Sequence, residues 1–307
     1  MTDRQFAFIM FALSLVCCPL LPGVVNRVKA RFAGRNGPPL LQLYYDLRKL
    51  AAKDAIYSRT ATWVVRACPV ATLGGALAAA ALTPFGGGGA MVAFPGDFLI
   101  WAGAFTLARV FMVLAALDVG SSFEGMGGSR EAWYAVLAEP ALFLAMAALA
   151  VISRDFSMTG FFLTLTPEVT QKHLMALLFA AFALVLVSLA ENARIPVDDP
   201  NTHLELTMIH EVMILDHSGP DLAMIEYASS LKLWVMGSLA VGAAVPVRLG
   251  SHWLDGACFL AGMAGFAVVV GAVESGMARL KLVRVPQFLL GALALAGISL
   301  ILVAREF

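Results

Sequence analysis

Eight stretches of this chain are each long and apolar enough to cross a bilayer, and that fixes what it can fold into. They fall at roughly 5–25, 63–83, 98–117, 134–152, 173–190, 222–247, 253–272 and 287–304, each near the ~20 residues that a helix needs to cross the hydrocarbon core. Backbone amides in hydrocarbon must be satisfied internally, and segments of this length do so as helices. The sequence therefore predicts an all-α, polytopic membrane helix bundle of about eight transmembrane helices, with residues 1–307 forming a single integral membrane domain. Composition agrees: 60% of residues are hydrophobic and only 14% charged, too few for an ordinary soluble surface.

The connectors are unequal. Loops 26–62, 118–133, 191–221 and 273–286 hold most of the lysine and arginine outside the spans, eight of them in the first loop alone. Cytoplasmic loops collect positive charge, so these four loops are expected on the cytoplasmic side and both termini on the outer, periplasmic side. A net charge of zero gives no reason to expect nucleic acid as a partner. The basic first loop is more simply an orientation signal. Met1–Val25 carries a single early cation, Arg4, and no small-residue cleavage pattern, so it reads as a retained first helix rather than a signal peptide. Gly86–Gly89, on the outer side, reads as a flexible turn.

Cys17, Cys18, Cys68 and Cys258 all lie in or near apolar segments, with no C-x-x-C pair and no Cys/His spacing suited to zinc or a cluster. The chain thus supplies no cluster ligands of its own.

Against this apolar background, residues 191–221 stand out. They contain seven carboxylates (Glu191, Asp198, Asp199, Glu205, Glu211, Asp216, Asp221), the single cation Arg194, and His203, His210 and His217 at intervals of seven. Ionisable groups beside hydrocarbon are costly and commonly mark an ion path or a working surface. Pro196 and Pro200 disfavour helix around Val197–Asp199. Thr202-x-x-Glu205 matches a capping box that would start a helix near His203, and Gly219-Pro220 would stop it. On such a helix, at about 100° per residue, the three histidines form one polar stripe with Glu211 nearby. Glu205 and Asp216 fall together in the opposite, apolar arc. They are read either as carboxylates facing an internal polar cavity or, more blandly, as a cap residue and an ion-pair partner. The histidines are separated by about 10.5 Å along the axis, too far to share one metal ion without other helices, and His210-Glu211 does not continue as H-E-x-x-H.

Other charges gather on the same side. GRNGPPLLQLYYDLRKL, residues 34–50, joins a Gly-Pro turn to a short amphipathic run with Asp46, Arg48 and Lys49. LDVGSSFEGMGGSREAWYAVLAEP, residues 117–140, sets Asp118, Glu124, Arg130, Glu131 and Glu139 around glycines that permit a tight loop. Arg109, Glu226 and Lys232 lie within predicted spans, and Glu274 lies at an inner helix end near Arg279. Pairwise neutralisation explains these residues, and so does a continuous hydrated path. The set Glu139, Glu191, Arg194, Asp198, Glu205, Asp216 and Glu274 is accordingly assigned to proton or ion coupling. Asp46, Arg48, Asp118, Arg130, Glu131, Asp199, His203, His210, Glu211 and His217 are assigned to docking.

The strings GRNGPPLLQLYYDLRKL, LDVGSSFEGMGGSREA, ENARIPVDDP with LEL, DHSG and ESGMARL, in this order over residues 34–280, resemble one family. It comprises the membrane subunit of respiratory complex I that adjoins the quinone chamber and its counterparts in energy-converting NiFe hydrogenases and formate hydrogenlyases of the hydrogenase-4 type. The compact GRNGPPLLQ and the pair LDVGSSF and SREA look like the hydrogenase branch. The central loop departs from both branches: where the family reads like PFD and then an acidic run, this chain has Pro196-Val197-Asp198 and then Asn201, His203 and Glu205. By position, Glu191, Arg194, Asp198 and Glu205 match the family's coupling residues, whereas His203, His210 and Asp216 do not.

The resemblance implies a non-redox anchor in the cell inner (cytoplasmic) membrane that is not catalytic alone. Its partners would be a NiFe hydrogenase-like large subunit and an iron-sulfur small subunit carrying the redox centres, together with antiporter-like membrane subunits that move protons or sodium. A quinone-chamber subunit of a complex I-like oxidoreductase is the alternative within the family. A stand-alone secondary transporter is the alternative outside it, although transporters often show repeated halves and broken helices and neither is visible here.

Overall fold

The computed structural model describes residues 3–198, 208–246 and 250–305. These residues form helices α1 (Asp3–Cys17), α2 (Leu20–Phe32), α3 (Gln42–Ala51), α4 (Trp63–Leu82), α5 (Asp97–Asp118), α6 (Ser122–Ser153), α7 (Met158–Leu163), α8 (Pro167–Lys172), α9 (Leu174–Glu191), α10 (His210–Met213), α11 (Gly219–Ala244), α12 (His252–Gly276) and α13 (Val285–Ala304). A 3₁₀ turn, Leu282–Arg284, leads into α13, and no strand occurs among the described residues. The expected all-α, multi-pass membrane chain is what forms.

Six helices are long and apolar enough to cross a membrane by themselves, and a seventh span follows if the bent pair α1 and α2 counts as one. The predicted first span is in fact broken: α1 and α2 meet at 48° around Pro19, whose ring and missing N–H interrupt the helical ladder. At 26 residues α11 is long enough to cross, but Asp221, Glu226 and Lys232 interrupt its apolar character. It can carry them because it is the central helix, packed against α4, α9 and α12 with α3 over one end. Leu231, Val235 and Leu239 on α11 are essentially inaccessible and join the main core.

Three local expectations are corrected. The predicted 118–133 loop is mostly helix, since α6 begins at Ser122 and leaves only Val119–Ser121 outside. Its glycines serve close packing rather than a turn: a Cβ on Gly127 would come within 2.3 Å of Val212 and 2.9 Å of the Ile209 carbonyl. The Gly86–Gly89 turn is packed as well, with Gly86 in the left-handed region at φ 63° and set against Met10 and Gly256.

The third correction concerns the helix expected from His203 to Gly219. Residues 199–207, including Asp199, Thr202, His203 and Glu205, lie outside the described residues. Beyond them, α10 covers only His210–Met213, after a non-helical Ile209. Side chains take the amides that a longer helix would have used. Asp198 accepts from the amides of Ile209 and His210, at 2.8 and 3.4 Å, and Glu124 accepts from the Asp216 amide at 3.1 Å. Without that helix, His210 and His217 do not share a stripe, and Asp216 is exposed rather than facing a cavity.

Candidate functional site

Charges from four helices converge inside the bundle. Arg109 of α5 places its Nε 3.2 Å from Glu131 of α6, and its terminal nitrogens hydrogen-bond Glu139 of α6 and Glu191 of α9. Lys232 of α11 lies 2.8 Å from the same Glu191, and the Thr106 hydroxyl donates to Glu139. The Arg109 side chain is only 9% exposed and that of Glu191 4%. Leaving such a charge unpaired costs several kcal/mol, so convergence is what makes each tolerable. Among the described residues the cluster holds three carboxylates and two cations, which together carry one net negative charge when all are ionised. One added proton makes it neutral.

Glu191 owes its position to the way α9 ends. Ala193 takes the left-handed conformation at φ 47°, and the Arg194 amide reaches back to the Leu189 carbonyl at 2.8 Å, a Schellman-type closure. The chain then turns through Ile195–Pro196 and Asp198, which is buried. One oxygen of Asp198 holds the start of α10, and the other meets Arg279 at 2.8 Å. The Leu280 amide donates to the Pro196 carbonyl, and Arg130 donates to the Met208 carbonyl. Glu274, at the end of α12, pairs with Lys29 of α2 at 2.8 Å and with Arg194 at 3.5 Å. The segments following α9 and α12 are thus tied to each other and to α2 and α6 by ion pairs and hydrogen bonds.

Two cavities meet at this knot. The first, about 60 Å³, lies among α4, α5, α9 and α11 and is walled by Arg109, Glu131, Glu191 and Lys232 together with apolar Phe105 and Met112. The second, about 310 Å³, opens between α2, α3, α11 and the loop, and Asp46, Arg194, Asp198, Glu211 and Glu226 line it. Asn192, Ala193, His210 and Ser229 belong to the walls of both. Polar side chains therefore line the interior on both sides of His210, from the α3 side to the Arg109 cluster. There, burial, aided by the negative charges of Glu226 and Asp198 and opposed by Arg194, pushes the Glu211 carboxyl up to about 7.

The structure sorts the residues singled out in the sequence. Of the coupling set, Glu139 and Glu191 share Arg109, while Glu274 and Arg194 form a second group with Lys29. Asp198 is a clasp for the loop. Asp216 is exposed, and Glu205 lies outside the described residues. In the docking set, Arg48 is exposed, and Asp46 accepts from the Gln42 amide while edging the second cavity. Asp118 accepts from the Thr62 amide at 2.6 Å. Glu131 pairs with Arg109, His217 is buried, and His210 and Glu211 line cavities. Arg109 and Lys232 supply the cations of the main cluster. Their only signal in the sequence was a charge inside an apolar span.

Residues 5–304 match the family described as NADH dehydrogenase. Formate hydrogenlyase subunit 4 of Escherichia coli K12 is 28% identical over 290 residues, covering 92% of this chain and 91% of that protein. Hydrogenase-4 component C of the same organism is 30% identical over 264 residues, covering 83% and 79% respectively. A subunit in the structure of the membrane-bound sulfane sulfur reductase, an archaeal respiratory membrane complex, superposes with a TM-score of 0.79 over 99% of this chain and all of its own length. Its identity is 18%, a likeness of fold.

Proposed function

Because this chain belongs to the NADH dehydrogenase family over nearly its whole length, we propose that it is the membrane anchor and energy-coupling subunit of a hydrogenase or formate hydrogenlyase-type complex. In this reading it crosses the cell inner membrane eight times, with α11 and the bent α1–α2 pair counted as spans and both termini outside. The loop side receives a NiFe-bearing large subunit and an iron-sulfur small subunit, and antiporter-like subunits flank it in the bilayer. It binds no redox centre itself. Its task is to convert electron transfer in the soluble arm into proton or sodium movement.

The observation that carries this reading is a pair of polar cavities with His210 in their common wall, the inner one bordered by a buried cluster with one more carboxylate than cations among the described residues. A simple anchor has no use for such an interior, since every charge in it raises the cost of insertion. Names among the relatives support the hydrogenase branch. Affinity purification of this chain from gently solubilised membranes should recover NiFe and iron-sulfur subunits together with it. Recovery of a stable lone chain would contradict the proposal.

The quinone-chamber reading draws on the first cavity, where apolar Phe105, Met112 and Ile225 face a charged end, a combination suited to a ring with polar oxygens. Sensitivity of electron transfer to quinone-site ligands would favour it over the hydrogenase reading.

A further inference from the structure

His210 occupies a position that neither neutralisation nor docking accounts for. It is common to the walls of both cavities, with Glu211 and Glu226 on one side and Glu131, Glu191 and Arg109 on the other. Its backbone is fixed: Asp198 caps α10 at the Ile209 and His210 amides, and buried Val212 and Met213 anchor the same turn against Gly127 of α6. Imidazole has two nitrogens that can be donor and acceptor in turn, which is what a link between two polar spaces requires. We propose that His210 relays protons between the loop-side cavity and the Arg109–Glu191 cluster, a role that rests on the coupling function proposed above.

The step balances without a co-reactant. Neutral His210 takes a proton at its free nitrogen, passed from the Glu211 carboxyl through water in the second cavity that both residues line, leaving Glu211 ionised and the ring cationic. The other nitrogen then gives its proton to Glu131 or Glu191, which removes the net negative charge of the cluster, and the ring reorients to its first tautomer. Burial holds the imidazole below its ordinary range, with Glu131 and Asp198 opposing that effect and Lys232 reinforcing it, so the ring rests neutral and releases what it accepts. The remaining charges around this junction are Arg109 of α5, Glu191 of α9, Glu226 of α11, Arg194 and, farther along the second cavity, Asp46 of α3.

The test uses inverted membrane vesicles containing the whole complex, driven by formate or reduced ferredoxin, with hydrogen and the ion gradient followed together. His210→Gln should assemble, judged by copurification of the partner subunits, and lower the gradient at least tenfold, within the range of a lost acid–base group. His210→Ala should behave alike and recover when imidazole is added. An unchanged gradient in either variant, a loss that imidazole does not restore, or failure of His210→Gln to assemble would each overturn the relay. Glu191→Gln in the same vesicles separates the two claims. If it abolishes the gradient while His210→Gln does not, only the relay fails. If both leave the gradient intact, the coupling function fails with it.

Discussion

Arg109 shows what could be read from single residues and what could not. Its charge within an apolar span demanded a partner, and so did those of Glu139 and Lys232. Which charges would meet depends on how four helices are rotated about their axes, and no local pattern encodes that. Glu274 illustrates the same limit: its sequence neighbour Arg279 binds Asp198 instead, while Glu274 pairs with Lys29 and Arg194. Glu211, placed on a docking surface from its sequence, turns into the second cavity, and burial there yields a testable pH dependence. With its carboxyl at about 7, Glu211 is mostly protonated at pH 6 and mostly ionised at pH 8. If Glu211 supplies protons to the route, ion translocation should fall as pH rises through 7. Glu211→Gln should flatten that inflection, and an unaltered pH profile in the variant would remove Glu211 from the route. The sign for stability is the same. A carboxyl whose folded value lies above its unfolded one favours the fold at low pH, and that contribution declines as pH climbs from about 4.5 to about 7.

Helices were legible wherever apolar length decided them, and least legible where polar residues continued a helix or a side chain ended one. α6 starts some twelve residues before its apolar portion, and this first part holds α10 and the loop, with Gly127 against Val212 and Arg130 donating to the Met208 carbonyl. The capping box at Thr202-x-x-Glu205 suggested a long helix up to Gly219, but carboxylates distant in sequence, Asp198 and Glu124, bind the amides near its middle and end. The contact between α6 and α10 can be tested with two adjacent glycines. Gly127→Ala drives a Cβ to 2.3 Å from Val212 and should destabilise the protein by about 1–3 kcal/mol, as overpacking does. Gly128→Ala meets nothing closer than 3.5 Å and should be neutral or gain up to about 1 kcal/mol from helix propensity. Thermal unfolding in detergent measures both, and equal midpoints for the two variants would refute the packing described for Gly127.

The bundle as a whole follows from a sequence with too little charge for water and too much for lipid alone. Apolar length gives the membrane class and most of the helices, and the joint occurrence of its charged motifs gives the family, which the match over residues 5–304 establishes. What remained illegible was the interior: two cavities sharing a wall at His210, and a five-charge cluster drawn from α5, α6, α9 and α11. Both arise from tertiary packing around α11, whose charges looked like a flaw in a span until the helices surrounding it were seen. If that interior couples electron transfer to ion movement, its most connected carboxylate is the place to probe. Glu191 binds Arg109 and Lys232 at once, and Glu191→Gln removes one charge at nearly constant volume. The decisive measurement is the ion gradient formed per hydrogen produced in vesicles bearing this variant in an assembled complex. The account predicts a fall of about tenfold or more with the partner subunits still bound, and a wild-type ratio would contradict it.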